Sequence, residues 1–280
     1  MKKKMICGLL AASMVLTMAA CGSSSTASSS AAGTETEAAG AGDSDVEYIK
    51  DKGTLVVGIT DFAPMDYQED GSDEWVGFDA DLAKKVAEDL GVDVEFQEID
   101  WDNKILELNN KSIDVVWNGM TLTDEVTKSM ECTVPYLKNA QTVVLPADIA
   151  DEYEDIDSLK DLSFAVEAGS AGEQTAEENG FDYTSMQSQA DTLMEIQAGT
   201  SDAAIIDLLM AGAMIGEGTS YPELTHVMDL NEEQYGIGCR QGSDLAEYIN
   251  SELAAFQEDG SLKEIAEKYG VQDALIDIAK

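Results

Sequence analysis

At 280 residues the chain exceeds one small domain and suits two, on the rough prior of about 100 to 200 residues per domain. It carries 56 acidic against 16 basic residues, with Arg240 as its lone arginine. It therefore lacks the Lys and Arg clusters that give affinity for phosphate backbones, which excludes nucleic acid as a partner. The formal net charge of −40 describes a solvated acidic surface and says nothing of the fold.

The N-terminus reads as an export signal. Met1-Lys2-Lys3-Lys4 is a basic lead, and Met5 to Met18 is apolar but too short for an ordinary membrane span. Met18-Ala19-Ala20 then precedes Cys21 and Gly22, which resembles a bacterial lipobox, where the cysteine becomes the new N-terminus and is acylated. The expectation is a lipoprotein signal peptide over 1–20 and a lipid on Cys21, placing the protein on the extracytoplasmic face of the cell membrane. Losing Lys2, Lys3 and Lys4 takes the net charge from −40 to about −43, so the lipid and not basic residues must be the membrane anchor.

Residues 21–45 are Ser, Ala, Gly, Thr and Glu with almost nothing large and apolar. Such a segment cannot offset the entropy of ordering and reads as a flexible tether, with the fold beginning near Val46. Of the cysteines in the exported chain beyond Cys21, Cys132 and Cys239 could pair or stay free, and spacing does not decide between these. No His or Cys sits at a zinc-like spacing, so no metal is expected.

Beyond Val46, short apolar runs alternate with amphipathic stretches. Leu55–Ile59 reads as a strand, and Phe78–Leu90 as a helix with Phe78, Leu82, Val86 and Leu90 on one face. Val92, Val94 and Phe96 alternate as in a strand. Trp101–Leu108 reads as a helix, Ile113–Trp117 as a strand and Asp124–Met130 as a short helix. A second series places strands at 141–145, 163–166, 203–206 and 236–239, and helices at 171–178, 190–198, 208–215, 245–257 and 262–269. Alternating strands and helices predict an α/β protein with parallel sheets.

Catalytic motifs are absent from the sequence. It has a single His, no G-x-S-x-G elbow and no Walker loop. Gly236-Ile237-Gly238 lacks the third glycine and the helix of a dinucleotide fingerprint. No catalytic residue and no cofactor is expected.

Gly77-Phe78-Asp79-Ala80-Asp81-Leu82, followed by Lys84-Lys85-Val86-Ala87, resembles the signature of the extracellular solute-binding proteins for polar amino acids, the receptors of ABC importers. Further blocks fall in that family's order. They are Leu55 to Ile59 leading into Phe62-Ala63-Pro64, Ile113 to Val116 leading into Asn118-Gly119-Met120-Thr121, Ala168-Gly169-Ser170, Asp202 to Asp207, and Tyr235 to Gly238. The resemblance covers about residues 50 to 270. It implies a two-lobed periplasmic-binding-protein-like fold, each lobe a mostly parallel sheet with flanking helices, joined by two hinge crossings. Lobe one would be 46–138 and 235–280, lobe two 139–234, with hinges near 137–140 and 234–236. The implied partners are a small amino acid and a membrane permease, and the expected state is a monomer.

Carried over by position, the resemblance sets Phe62 and Trp101 against the ligand side chain, with a core aromatic as the alternative for each, while Trp117 could equally be core. Asn118, Gly119 and Thr121 form a loop at a strand end that offers oxygens to an α-ammonium. Asp207 pairs with the same ammonium. Ser170 caps a helix and, with the N–H of Ala171, holds the ligand carboxylate, because unpaired donors and the helix dipole favour an anion there. The family's carboxylate-gripping Arg is missing, since Val126 occupies its place; Lys128 or Lys138 could substitute as a point charge. Asp61, Glu167 and Asp207 gather carboxylates, so a basic or polar neutral amino acid is expected over glutamate or aspartate. Alternatives are a receptor for a cationic non-amino-acid solute, a prephenate- or arogenate-dehydratase-like enzyme using Glu173 as an acid, and an acidic surface adhesin.

Overall fold

The computed structural model describes residues 44–69 and 71–278. The expected signal peptide, Cys21 and most of the expected tether lie outside the described residues. Helix α1 (Asp45–Lys52) opens the fold, capped by the Ser44 hydroxyl, which accepts the Glu47 N–H at 3.1 Å. Asp45 is buried against Arg240, with an O···N distance of 2.9 Å, and Arg240 also donates to the Ile113 carbonyl at 2.9 Å. Ser44 and Asp45 therefore belong to the folded part and not to the tether. Small polar residues look unstructured because they bury little, and that criterion overlooks a helix cap.

Strand β1 (Thr54–Ile59) leads through two-residue strands β2 (Tyr67–Gln68) and β3 (Trp75–Val76) to helix α2 (Phe78–Leu90). Strand β4 (Asp93–Glu98), a 3-10 turn at Trp101–Asn103, helix α3 (Lys104–Asn109), strand β5 (Val115–Thr121), helix α4 (Asp124–Ser129) and the short β6 (Glu131–Cys132) follow. The chain then crosses along β7 (Leu137–Pro146) to β8 (Ser163–Glu167), α5 (Ala171–Asn179), β9 (Asp182–Met186), α6 (Gln189–Ala198), β10 (Ala203–Asp207) and α7 (Leu208–Met214). It returns along β11 (Leu224–Cys239) and closes with α8 (Leu245–Asp259) and α9 (Ser261–Tyr269).

Among the described residues nine strands join in one sheet, in the order β4-β1-β5-β11-β7-β10-β8-β9, with β6 on β11. Strands β4, β1 and β5 are mutually parallel, as are β10, β8 and β9. Between these parallel groups β7 and β11 run antiparallel to each other from Leu224↔Pro146 to Tyr235↔Leu137. This is the expected two-lobed α/β fold, with the two crossings hydrogen-bonded together as a ribbon. The described residues form one compact unit.

The ribbon is longer than the sequence pattern suggested. The run 236–239 is only the end of the 16-residue β11, and 141–145 lies inside the ten-residue β7. Two bulges, at His226/Met228 and Asp229/Asn231, break the alternation of β11, and polar residues fill its middle, so period-2 reading fails there. The edge strand β9 was missed for a similar reason, since most of it is exposed and polar.

Helix α2 matches its expected bounds because its apolar face is continuous, with Phe78, Leu82 and Val86 fully buried. Truncating Leu82 to Ala should cost about 2 to 5 kcal/mol. Its N-cap, Gly77, has φ 133°, and a Cβ there would lie 1.9 Å from the Met65 carbonyl oxygen, so only glycine fits. A second core cluster in the other lobe stacks Phe164 on Phe181 at 4.7 Å beside Val143, Val166 and Ile205. A third packs Trp101, Leu108, Val116, Met120, Val126 and Met130 together.

Cys132 and Cys239 are free thiols. Cys239 lies opposite Glu131 and not opposite Cys132, so the two side chains leave opposite faces of the sheet and join different core clusters.

Candidate functional site

A cavity of about 180 Å³ lies between the two lobes. That is room for several water molecules, which suits a small molecule. From the first lobe it is lined by Thr60, Phe62, Trp101, Lys104, Asn118 to Thr121, Thr123, Glu125 and Val126. From the second come Glu167, Gly169, Ser170, Ala171, Glu173, Gln174, Glu177, Gln189 and Asp207. The lobes also meet directly: Lys104 Nζ donates to the Gly169 carbonyl at 2.8 Å, and Gln187 Nε2 to Asp100 Oδ1 at 2.9 Å.

The floor is held in place by the signature motif. Asn118 and Gly119 are not a loop after a strand end, as the resemblance implied, but part of β5, which continues its ladder to Thr121 opposite Tyr235. The strand survives because Gly119 takes φ 53° and Asp79 Oδ2 accepts its N–H at 2.7 Å. A Cβ on Gly119 would lie 2.5 Å from the Phe62 ring. Phe62, nearly buried, packs edge-on against Tyr235 with centroids 6.4 Å apart.

Asn118 Oδ1 accepts the Thr60 N–H and hydroxyl at 2.8 Å each, while Nδ2 donates to the Thr60 carbonyl at 3.1 Å and Asp66 Oδ2 at 2.8 Å. All four hydrogen-bonding positions of the amide are used. Asn118 therefore shapes the cavity through position, with no side-chain capacity left for a ligand. Thr121 donates its hydroxyl to Glu233 Oε1 at 2.8 Å.

The opposite wall carries the charge. Ser170 caps α5 by accepting the Glu173 N–H at 3.1 Å, leaving the first-turn N–H groups of Ala171 and Gly172 without intrahelical acceptors. Glu173 reaches back to the Gly169 N–H at 2.7 Å, one residue before the cap, and accepts the Ser185 hydroxyl. Glu167, 3% exposed at the end of β8, has Oε1 buried without a partner, and burial pushes its carboxyl up to about 8 against the pull of Lys104.

Asp207 ends β10 and makes no side-chain cap bond to α7, so a capping role does not explain it. Its carboxylate instead accepts from Asn139, Gln189 and the Tyr235 hydroxyl, the last at 2.6 Å. Burial, and then the neighbouring Glu233, hold its carboxyl well above the usual range. Asn139 also donates to Glu233 at 2.6 Å, so this network joins the cavity to the ribbon between the lobes.

Ten of the expected ligand residues are thus placed as follows: Phe62, Trp101, Asn118, Gly119, Thr121, Glu167, Ser170, Ala171 and Asp207 line one cavity, and Asp61 does not. Asp61 is exposed and lines a separate acidic groove with Glu98, Asp100, Gln187 and Asp191. Its neighbour Phe62 points inward, and successive residues at a strand end turn to opposite sides. Val126 does line the cavity, but neither suggested substitute cation reaches it. Lys128 is exposed and pairs with Asp124 at 2.8 Å, while Lys138 is exposed on the far side of the ribbon.

The cation that is present is Lys104, which the sequence reading passed over. It is 7% exposed, donates to the carbonyls of Trp101 at 3.2 Å and Gly169 at 2.8 Å, and stands 5.0 Å from the Trp101 ring centroid. Burial lowers its ammonium, opposed by Glu125, Glu167, Asp102 and Glu173. The signal was available: Trp101, Lys104 and Leu108 share one helical face, at i, i+3 and i+7. Among the described residues no group of three or more His, Cys, Asp or Glu side chains could hold a metal ion.

Comparison with known proteins supports this architecture. The chain is 29% identical over 277 residues to the arginine-binding extracellular protein ArtP of Bacillus subtilis, covering 95% of this chain and 98% of that one. It is 27% identical over 225 residues to the L-cystine-binding protein TcyJ of Escherichia coli, covering 79% and 84%. A solved structure of the ancestral amino acid-binding protein AncCDT-1, a precursor of cyclohexadienyl dehydratase, matches with a TM-score of 0.73 at 31% identity over 81% of this chain and 99% of that one. Matched over residues 55–272 by the family of bacterial extracellular solute-binding proteins, family 3, the chain belongs to that family.

Proposed function

We propose that this protein is the receptor of a bacterial ABC importer, capturing a basic or polar neutral amino acid between its lobes and delivering it to a membrane permease. The observation that carries this is the acidic lining of the cavity: the side chains of Glu125, Glu167, Glu173, Glu177 and Asp207 face it against the single basic side chain of Lys104, with the carboxyls of Glu167 and Asp207 raised by burial. An acidic ligand would meet like charge in a partly dry site, where repulsion exceeds its value in water. The names of the relatives, for arginine and for L-cystine, agree with an amino acid as ligand.

In this reading the lobes are residues 46–138 with 235–280, and 139–234, and they hinge near 137–140 and 234–236. The ligand bridges both, stabilising the closed form by contacts available only there. Cys21 carries the lipid that holds the receptor at the extracytoplasmic face, as a monomer, and the segment 22–43 acts as its tether. Catalysis by Glu173 is disfavoured, because its carboxylate is engaged by the Gly169 N–H and the Ser185 hydroxyl.

A thermal-shift screen of the chain from Gly22 onward, against the common amino acids and small amines, tests the proposal. Basic or polar neutral amino acids should raise the melting temperature, while a rise with glutamate alone, or with no amino acid, would refute it.

A further inference from the structure

The cavity sets one basic side chain among five acidic ones, and that ammonium is built into its wall. Lys104 is more than nine-tenths buried, stands against the Trp101 ring, and spends two of its three N–H groups on carbonyls, one from each lobe. Burying a lysine costs desolvation. Glu125, Glu167, Asp102 and Glu173 attract it, but none forms an ion pair with it within 4 Å, and one of its N–H groups is left without a carbonyl. Gly169, whose carbonyl Lys104 grips, immediately precedes Ser170 and the first turn of α5, whose N–H groups of Ala171 and Gly172 lack intrahelical acceptors. An ammonium and a helix start thus converge on one corner of the cavity.

Given an amino-acid ligand, as proposed above, we infer that Lys104 is the residue that recognises its carboxylate, acting with the N–H groups at the start of α5. The remaining N–H of Lys104 makes a charge-assisted hydrogen bond to one carboxylate oxygen, and the backbone donors take the other. Since Lys104 comes from the first lobe and reaches the Gly169 carbonyl of the second, this arrangement is complete only when the lobes are closed. Carboxylate recognition and closure are therefore one event, and the same residue makes the site select amino acids over their decarboxylated amines. Without it, the acidic lining would favour the amines.

The test is titration calorimetry of the chain from Gly22 onward, which contains the whole compact unit, with two ligand pairs: arginine and agmatine, lysine and cadaverine. Wild type should prefer the amino acid of at least one pair by about ten- to hundredfold, the size of one charged hydrogen bond. Lys104→Gln, which keeps two N–H donors but carries no charge, should bring that ratio within about threefold, chiefly by weakening the amino acid. Lys104→Met serves as a second neutral variant should Lys104→Gln fail to fold. Lys104→Arg should keep the preference. Adding Val126→Arg to Lys104→Gln should restore it, since Val126 lines the same cavity. If the neutral variants weaken or tighten both members of a pair alike, leaving the ratio unchanged, Lys104 is a latch or a general counter-charge and the inference falls. A wild type that binds the amines and no amino acid would instead overturn the proposed function, and this inference with it.

Discussion

The Asp79 carboxylate, wholly buried, accepts the backbone N–H of Gly119 at 2.7 Å and the hydroxyl of Tyr136 at 2.8 Å. An acidic residue from the signature motif on α2 thereby holds the cavity floor in shape, 40 residues further along the chain. The left-handed conformation it fixes at Gly119 is one that other residues adopt at a cost of about 1 to 3 kcal/mol. Gly119→Ala would add that strain and drive a methyl group to within 2.5 Å of Phe62 and 3.1 Å of Tyr235. The expected outcome is a folded protein, less stable by a few kcal/mol, with ligand binding reduced at least tenfold, as measured by chemical denaturation and calorimetry. Wild-type affinity in Gly119→Ala would show that the floor is not part of the site.

Asp207 is surrounded by donors from Asn139, Gln189 and Tyr235. Asp207→Asn replaces one acceptor oxygen with an NH₂ group that would face one of those donors, and removes the charge opposite a ligand ammonium. Binding should weaken by about 2 to 5 kcal/mol, the range for one partner lost from a desolvated charge pair. Unchanged affinity in an intact fold would reduce Asp207 to a structural member of the ribbon network.

The pH dependence of stability has a definite sign. Glu167 titrates near 8 in the folded protein against an ordinary value of 4.5, and Asp79 near 6 against 3.8, both raised chiefly by burial. Between its ordinary and its folded value, each native group retains a proton that the unfolded chain has released. Stability must then fall as pH rises through those windows. Above about pH 6 ordinary carboxylates are already ionised, so the fall from pH 6 to 8 reports mainly Glu167 and the buried groups like it. Denaturant midpoints of the unliganded protein should decrease over that range, and Glu167→Gln should flatten the decrease. A midpoint that rises from pH 6 to 8 would contradict the assignment.

Membrane attachment rests on one residue in the proposed arrangement. Cys21→Ala should release the protein from the membrane fraction while leaving ligand binding unchanged, because the folded unit lies beyond residue 40. A Cys21→Ala protein that still sediments with membranes would remove the lipid anchor from the account.

Much of the fold was legible because apolar periodicity is strong where elements are half-buried. Helix α2 begins at Phe78 and ends at Leu90 as its i, i+4 repeat requires, and Gly91 closes it in the left-handed region. The ribbon was not legible, because Asn231 to Gln234 of β11 are polar on both faces and its bulges shift the alternation. In the site, motif order located Phe62, Gly119, Ser170 and Asp207 on one cavity. Asp61 was misplaced because adjacency in sequence does not fix the side to which a side chain turns. Lys104 was missed because a lysine in a helical stretch is usually read as solvated; only the face it shares with Trp101 and Leu108 marks it as buried. Asp79 was legible as a helix-start acid, while its bond to Gly119 depends on a strand that no local pattern connects to it.

The most direct measurement is calorimetry of the chain from Gly22 onward with lysine, arginine, glutamine and glutamate under one buffer condition. The account predicts one site per chain, filled by a basic or polar neutral member of the set, with glutamate at least tenfold weaker, since each 1.4 kcal/mol of like-charge repulsion is a factor of about ten. Glutamate binding as tightly as the best of the others would contradict it.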